Sequence, residues 1–217
     1  MEPKTAFNCI IDDWTRVKNH CRTTDNKKFT EKEATDIFKK KLLISEHSPI
    51  RLIEFDWSWD GIKYWVSQHW VRHKFEKFVS TQRDDRRRVL THSRDESPQD
   101  TLVKLDCYAN MQNLIDAWRK RLCFQCAKET RELAEDFKIK LHETHPLESD
   151  VLCPNCIYRF GCPEFCPCGF FDNFIDYFFA MHSDKDIQNI QDRYDVYNEM
   201  FYKMHERAND ENDTENG

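Results

Sequence analysis

The chain has 217 residues, 39% of them hydrophobic, and a net charge of −6. That predicts one sizeable domain, or one domain with an appendage, and counts against a generally basic nucleic-acid binder. Of its four glycines, Gly61, Gly161, Gly169 and Gly217, none stands in a G-x-G-x-x-G or G-x-x-x-x-G-K-[ST] pattern; a Rossmann dinucleotide site and a P-loop are therefore excluded, and any phosphate must be held by side chains.

Residues 10–22 read as a short helix with Ile10, Trp14 and Val17 on its apolar side, and Asp12 and Asp13 near its start suit the helix dipole. Thr30 with Glu33 has capping-box spacing, so a second helix is predicted from Thr30 to Ser45. Ser48-Pro49 ends it. Residues 51–59 alternate, with Ile53, Phe55, Trp57 and Trp59 on one face, which is a half-buried strand. Asp60-Gly61 reads as a turn, and Ile62 to Phe75 as a helix. Residues 80–100 are polar and Arg-rich, and read as a loop. Leu102 to Tyr108 is a second strand with Val103, Leu105 and Cys107 on one face. One long helix then runs from Asn110 to His142, with a stripe of Leu114, Trp118, Leu122, Cys126, Leu133, Phe137 and Leu141. Residues 150–170 form a Cys-Pro-rich knot. Two aromatic-rich helices follow over 171–206, broken near Ser183-Asp184, before a polar tail expected to be disordered.

No run of ~18 apolar residues could span a membrane. The start, MEPKTAFNCIIDDW, lacks a basic-then-apolar secretion pattern, so a cytoplasmic location is expected. There the ten cysteines are thiols or metal ligands.

Three groups of residues could carry chemistry. Arg72-His73-Lys74, followed by Ser80-Thr81-Gln82-Arg83 and Arg86 to Arg88, is either an anion pocket or a basic helix end with a solvated loop. Arg121 lies at the edge of the apolar stripe, either snorkelling or binding something anionic. In the knot, Cys153-x-x-Cys156 is followed by Cys162, Cys166 and Cys168, five thiols in 16 residues. They make a zinc or iron–sulfur site, an oxidised loop, or cysteines packed as small hydrophobes. No G-x-S-x-G or H-E-x-x-H motif offers a nucleophile or a zinc protease site.

Several of these segments, in order, resemble flavin-dependent thymidylate synthase (ThyX). Cys21-Arg22-Thr23-Thr24 is similar to that family's Ala-Arg-x-Ser, and Glu46-His47-Ser48-Pro49-Ile50-Arg51 to the segment before its core strand. Arg72-His73-Lys74 resembles its R-H-R motif, and Thr81-Gln82-Arg83 with Ser80 its Ser-x-Arg loop. Asn110-Met111-Gln112 and Arg121-Leu122 through Glu129 resemble stretches of its long helix. The likeness covers about residues 8–145 and is strongest to a divergent branch met in phage and bacterial sequences.

The resemblance implies an α/β (α+β type) fold: an antiparallel sheet flanked by helices with one long helix, carrying here a Cys-rich helical C-terminal subdomain. The corresponding division is a ThyX-like core at 1–147, the knot and C-terminal helices at 148–206, and the tail at 207–217. It also implies FAD as cofactor, dUMP as substrate, methylenetetrahydrofolate as carbon donor and NADPH as reductant, in a homotetramer with shared active sites. Arg121 and Arg83 would be catalytic. Arg121 would bind the pyrimidine, Arg83 with Ser80, Thr81 and Gln82 the phosphate, and His69 and Arg72 would touch the nucleotide. Thr24, Ser48, Arg72, His73, Lys74, Asn110 and Asp116 would line the FAD site. Another pyrimidine nucleotide as substrate is the nearest alternative, and a metal-stabilised nucleic-acid-binding module is the contrasting one.

Overall fold

The structure is a computed structural model that describes residues 4–80 and 96–215, with side chains through residue 206. Four antiparallel strands form one sheet in the order β1-β2-β4-β3: β1 (Thr5–Ile11), β2 (Glu54–Lys63), β3 (Glu76–Val79) and β4 (Leu102–Asn110). The alternation read in residues 51–59 is carried out. Phe55, Trp57 and Trp59 are buried on one face, and Trp57 and Trp59 lie opposite Cys107 and Leu105 of β4. Asp60-Gly61 is not a turn between elements, however. β2 runs through it as a bulge between Trp59 and Ile62, with Gly61 at φ +73°, a conformation that suits glycine.

Both outer strands are additions to the sequence reading. β1 takes Ile10, which pairs with Phe55 and belongs to no helix, and a register shift between Phe7 and Cys9 breaks its period of two. The helix read at 10–22 starts later, as α1 (Trp14–Thr24), where the Asp13 side chain accepts from the Arg16 N–H at 2.8 Å. The capping box at Thr30 does not form. The Asn19 side chain clamps both backbone groups of Thr30, at 2.9 and 3.0 Å, and holds it outside any helix. α2 (Asp36–Ile44) begins instead behind Thr35, whose side chain accepts from the Phe38 N–H. Ser48–Leu52 then makes a short 3₁₀ turn. α3 (Tyr64–Trp70) is shorter than the helix read from Ile62 to Phe75, because the chain turns after Trp70 to enter β3.

The long helix read from Asn110 to His142 is two helices folded as a hairpin, α4 (Met111–Arg121) and α5 (Lys128–Thr144). A straight helix would hold Trp118 and Phe137 roughly 28 Å apart; their rings are 4.3 Å apart at the centroids. Trp118 also donates its indole N–H to the Ala134 carbonyl across the hairpin. The apolar stripe survives because both arms turn it toward the sheet, where Phe137 meets Phe7 and Trp57 edge-on.

Beyond the hairpin come α6 (Pro146–Asp150), α7 (Asn155–Arg159), α8 (Phe170–Met181) and α9 (Ile190–Glu215). The last extends into the polar tail read as disordered. One continuous core runs from Trp14 to Phe201, so it crosses residue 147 without a break. Glu148 accepts from the Trp14 indole N–H at 2.8 Å, and the fully buried Lys138 of α5 donates to the Ser149 carbonyl and to Asn198 of α9. No helix among the described residues is long and apolar enough to cross a membrane.

Candidate functional site

The end of α3, the turn after it and the end of α4 meet in a cationic cluster. Arg121, the last residue of α4, donates through Nε to His73 Nε2 at 2.7 Å, and through a terminal nitrogen to the His69 carbonyl. Its other terminal nitrogen faces Cys126 Sγ at 3.8 Å, and the guanidinium lies over the Trp70 ring. A guanidinium carries five N–H groups, so two remain to meet a ligand.

His73 accepts from Arg121 and must therefore be neutral at Nε2. Burial, reinforced by Arg121, Lys120 and Lys77, pushes its pKa down to about 4. Burial, then Arg121 and Arg72, also lowers His69, whose Nδ1 is 2.7 Å from Thr130 Oγ1. Lys77 closes the turn by donating to the His73 and Phe75 carbonyls. Arg72 and Lys74 are exposed beside this cluster, and the Lys74 carbonyl accepts from Asn113 of α4 at 2.6 Å. The result is a concentration of fixed positive charge around two uncharged imidazoles, suited to an anionic ligand.

Thr24 and Ser48 come together elsewhere. With Thr23, His20 and Arg51 they line an open cleft of about 350 Å³ between α1 and the 3₁₀ turn. The 3₁₀ turn is tied to the start of α4, where the Met111 N–H donates to the Ile53 carbonyl at 2.9 Å.

Asn110 is the N-cap of α4, its side-chain oxygen accepting from the Asn113 N–H at 3.0 Å. Asp116 lies on the outer side of α4, half exposed, 3.8 Å from Arg119. Ser80 is bound to Lys104 at the β3–β4 edge, backbone to backbone and through its hydroxyl. Thr81, Gln82, Arg83 and the arginines at 86–88 lie outside the described residues.

Sequence reasoning overlooked a second ion pair on α4. Arg119, 9% exposed, is held by both carboxylate oxygens of Glu46, and its guanidinium stacks 3.5 Å above the Tyr158 ring. Gln112 donates to the same carboxylate at 2.7 Å. Glu46 has φ +50°, outside the usual range of a non-glycine residue. The only signal was the three-residue spacing that puts Arg119 on the same helix face as Asp116.

The five knot cysteines do not act as one group. Cys153 is wholly buried, whereas Cys166 and Cys168 are exposed. Among the described residues, no three His, Cys, Asp or Glu side chains converge to hold a single metal ion. Cys156 and Cys162 instead face Cys123, from the α4–α5 link, across a cavity of about 270 Å³.

No protein-family model and no curated protein matches the chain. Solved structures do match. One is thymidylate synthase X (ThyX) from Helicobacter pylori with FAD and dUMP, at a TM-score of 0.55 and 14% identity, over 69% of this chain and 99% of that one. Another structure of the flavin-dependent ThyX from Helicobacter pylori, complexed with FAD and dUMP, gives a TM-score of 0.56 and 14% identity, over 69% and 100% of the two chains. The fold is ThyX-like. In a ThyX-like α+β fold, the Arg121–His73–His69 cluster is built by three elements that also make the core, so its geometry is set by buried packing.

Proposed function

We propose that the chain is a flavin-dependent thymidylate synthase that methylates dUMP to dTMP, with FAD as cofactor, methylenetetrahydrofolate as carbon donor and NADPH as reductant. The observation that carries this is the Arg121–His73 contact in a ThyX-like fold. It holds two N–H groups of an arginine fixed beside an uncharged imidazole. A flavin supplies the redox and carbon-carrying chemistry when bound, so no protein nucleophile is required.

The residues present fit such a ligand set. Arg121 directs its remaining N–H groups at a pyrimidine carbonyl, where negative charge develops during attack. His73, neutral across the working range, pins the guanidinium without competing for the anion. Arg72 and Lys74 offer charge to flavin or nucleotide phosphates. The Thr24–Ser48 cleft, with Arg51, offers hydroxyls and a cation for the more distant part of the cofactor. Asn110 keeps its amide N–H groups after capping α4. Asp116 is the weakest member of the set, since its carboxylate belongs to the Arg119–Glu46 network. Ser80 would continue the phosphate site into the segment beyond β3. A homotetramer with shared active sites completes the reading.

Purified protein should show a flavin spectrum or take up added FAD, and should release tritium from C5-labelled dUMP in the presence of the folate and NADPH. A folded protein that does neither overturns the reading. Arg121→Ala should lower kcat/KM by about 100-fold or more while FAD is retained; unchanged turnover would remove Arg121 from the chemistry.

A further inference from the structure

The cavity beside the α4–α5 link lies outside the nucleotide site and is lined by four thiols. Cys123 enters from the link, Cys156 from α7, and Cys162 and Cys168 from the loop before α8. The rest of the lining is Phe124, Phe170, Phe171, Gly169 and three prolines, with Asn155, Glu164 and Asp172 as its polar members. The Phe124 and Phe170 rings stack at 4.8 Å, closing one side.

We propose that Cys123, Cys156, Cys162 and Cys168 are the ligands of an iron–sulfur cluster. Four thiolates are the usual ligand set of such clusters. A single zinc ion, with Zn–S near 2.3 Å, draws four sulfurs to within roughly 4 Å of one another. Here no three ligand groups converge in that way among the described residues, and the thiols instead ring a cavity of about 270 Å³. A cluster, whose own iron and sulfide atoms stand between the thiolates, does not require that convergence. Behind the lining, Arg131 lies over the Phe124 ring at 4.5 Å, with its charge paired to Glu135 at 3.1 Å.

The set differs from the five-cysteine knot of the sequence. Cys153 is buried in the core and does not line the cavity. Cys166 is exposed and contributes its backbone carbonyl, accepting from the Gln125 side chain at 2.9 Å. That bond fastens the cysteine loop to the link that carries Cys123. Gly169, at φ +80° directly after Cys168, lets the chain reverse into α8.

The test is iron and acid-labile sulfide analysis of the whole chain, purified anaerobically and reconstituted with ferrous iron and sulfide, alongside zinc analysis. Iron and sulfide in equal amounts, at two or four of each per chain, are expected. Cys123→Ser, Cys156→Ser, Cys162→Ser and Cys168→Ser should each lose most of that iron, and Cys166→Ser should keep it. The Cys123→Ser result is the most telling, because that residue lies far from the knot in sequence. One zinc per chain without labile sulfide overturns the proposal. So does wild-type protein that holds no iron, which needs no variant to fold, or equal iron loss in Cys166→Ser and Cys162→Ser. Flavin content is measured separately, so failure of the nucleotide reading leaves this result untouched.

Discussion

His73 is the residue on which the cationic cluster turns. Its folded pKa of about 4 is below the ordinary 6.5, chiefly because burial disfavours the charged ring and Arg121 repels it. Between those two values the unfolded chain takes up a proton that the folded chain refuses. Stability from this group is therefore full above pH 6.5 and lost as pH falls toward about 4. Protonation would also remove the acceptor that Arg121 uses. Urea melts across that window should show His73→Gln, which keeps an acceptor but cannot titrate, losing less stability than the parent. Identical slopes would mean that other groups set the acid limit. Arg119 makes a contrasting case at the same scale: its charge is matched by Glu46 and covered by Tyr158, so it serves to lock α4 against the link that follows α2 and against α7.

At the scale of elements, α2 offers a direct comparison. Thr35 caps the helix, while Thr30 is held by Asn19 in the segment before it. Thr35→Ala should cost about 1 kcal/mol in a chemical melt. Thr30→Ala should cost clearly less, since its hydroxyl accepts only from the Lys32 N–H; the reverse order would place the cap where the capping-box spacing put it. β2 and β4 were legible because their buried faces alternate without interruption apart from one bulge. β1 and β3 were not legible: they are edge strands with mostly part-exposed residues, and a register shift spoils the period in β1. The α4–α5 hairpin was hidden for a different reason. Its stripe keeps helical phase across the break, so periodicity alone cannot show that the chain reverses there. Within the site, Arg121 and His73 could be singled out by residue type and order. Glu46–Arg119 and the role of Cys123 could not, because each depends on segments brought together only by folding.

For the molecule as a whole, the sheet, the hairpin and the C-terminal helices share one core, within which Phe137 joins the sheet to the hairpin. Its ring contacts Phe7, Trp57 and Trp118, and it is fully buried. Phe137→Ala should cost about 3–5 kcal/mol, read as a lowered denaturation midpoint in one transition. Two separate transitions would show that residues 148–206 fold apart from the rest. Lys138, the next residue, has a further consequence. Its amine is sealed beneath Tyr197, Phe201 and Tyr202, and burial lowers its pKa to about 8. That amine is out of reach of any acylating reagent while α9 is docked, and regains the reactivity of an ordinary lysine when burial is lifted. It is thus a built-in reporter: covalent labelling of Lys138 would time the lifting of the last helix from the core.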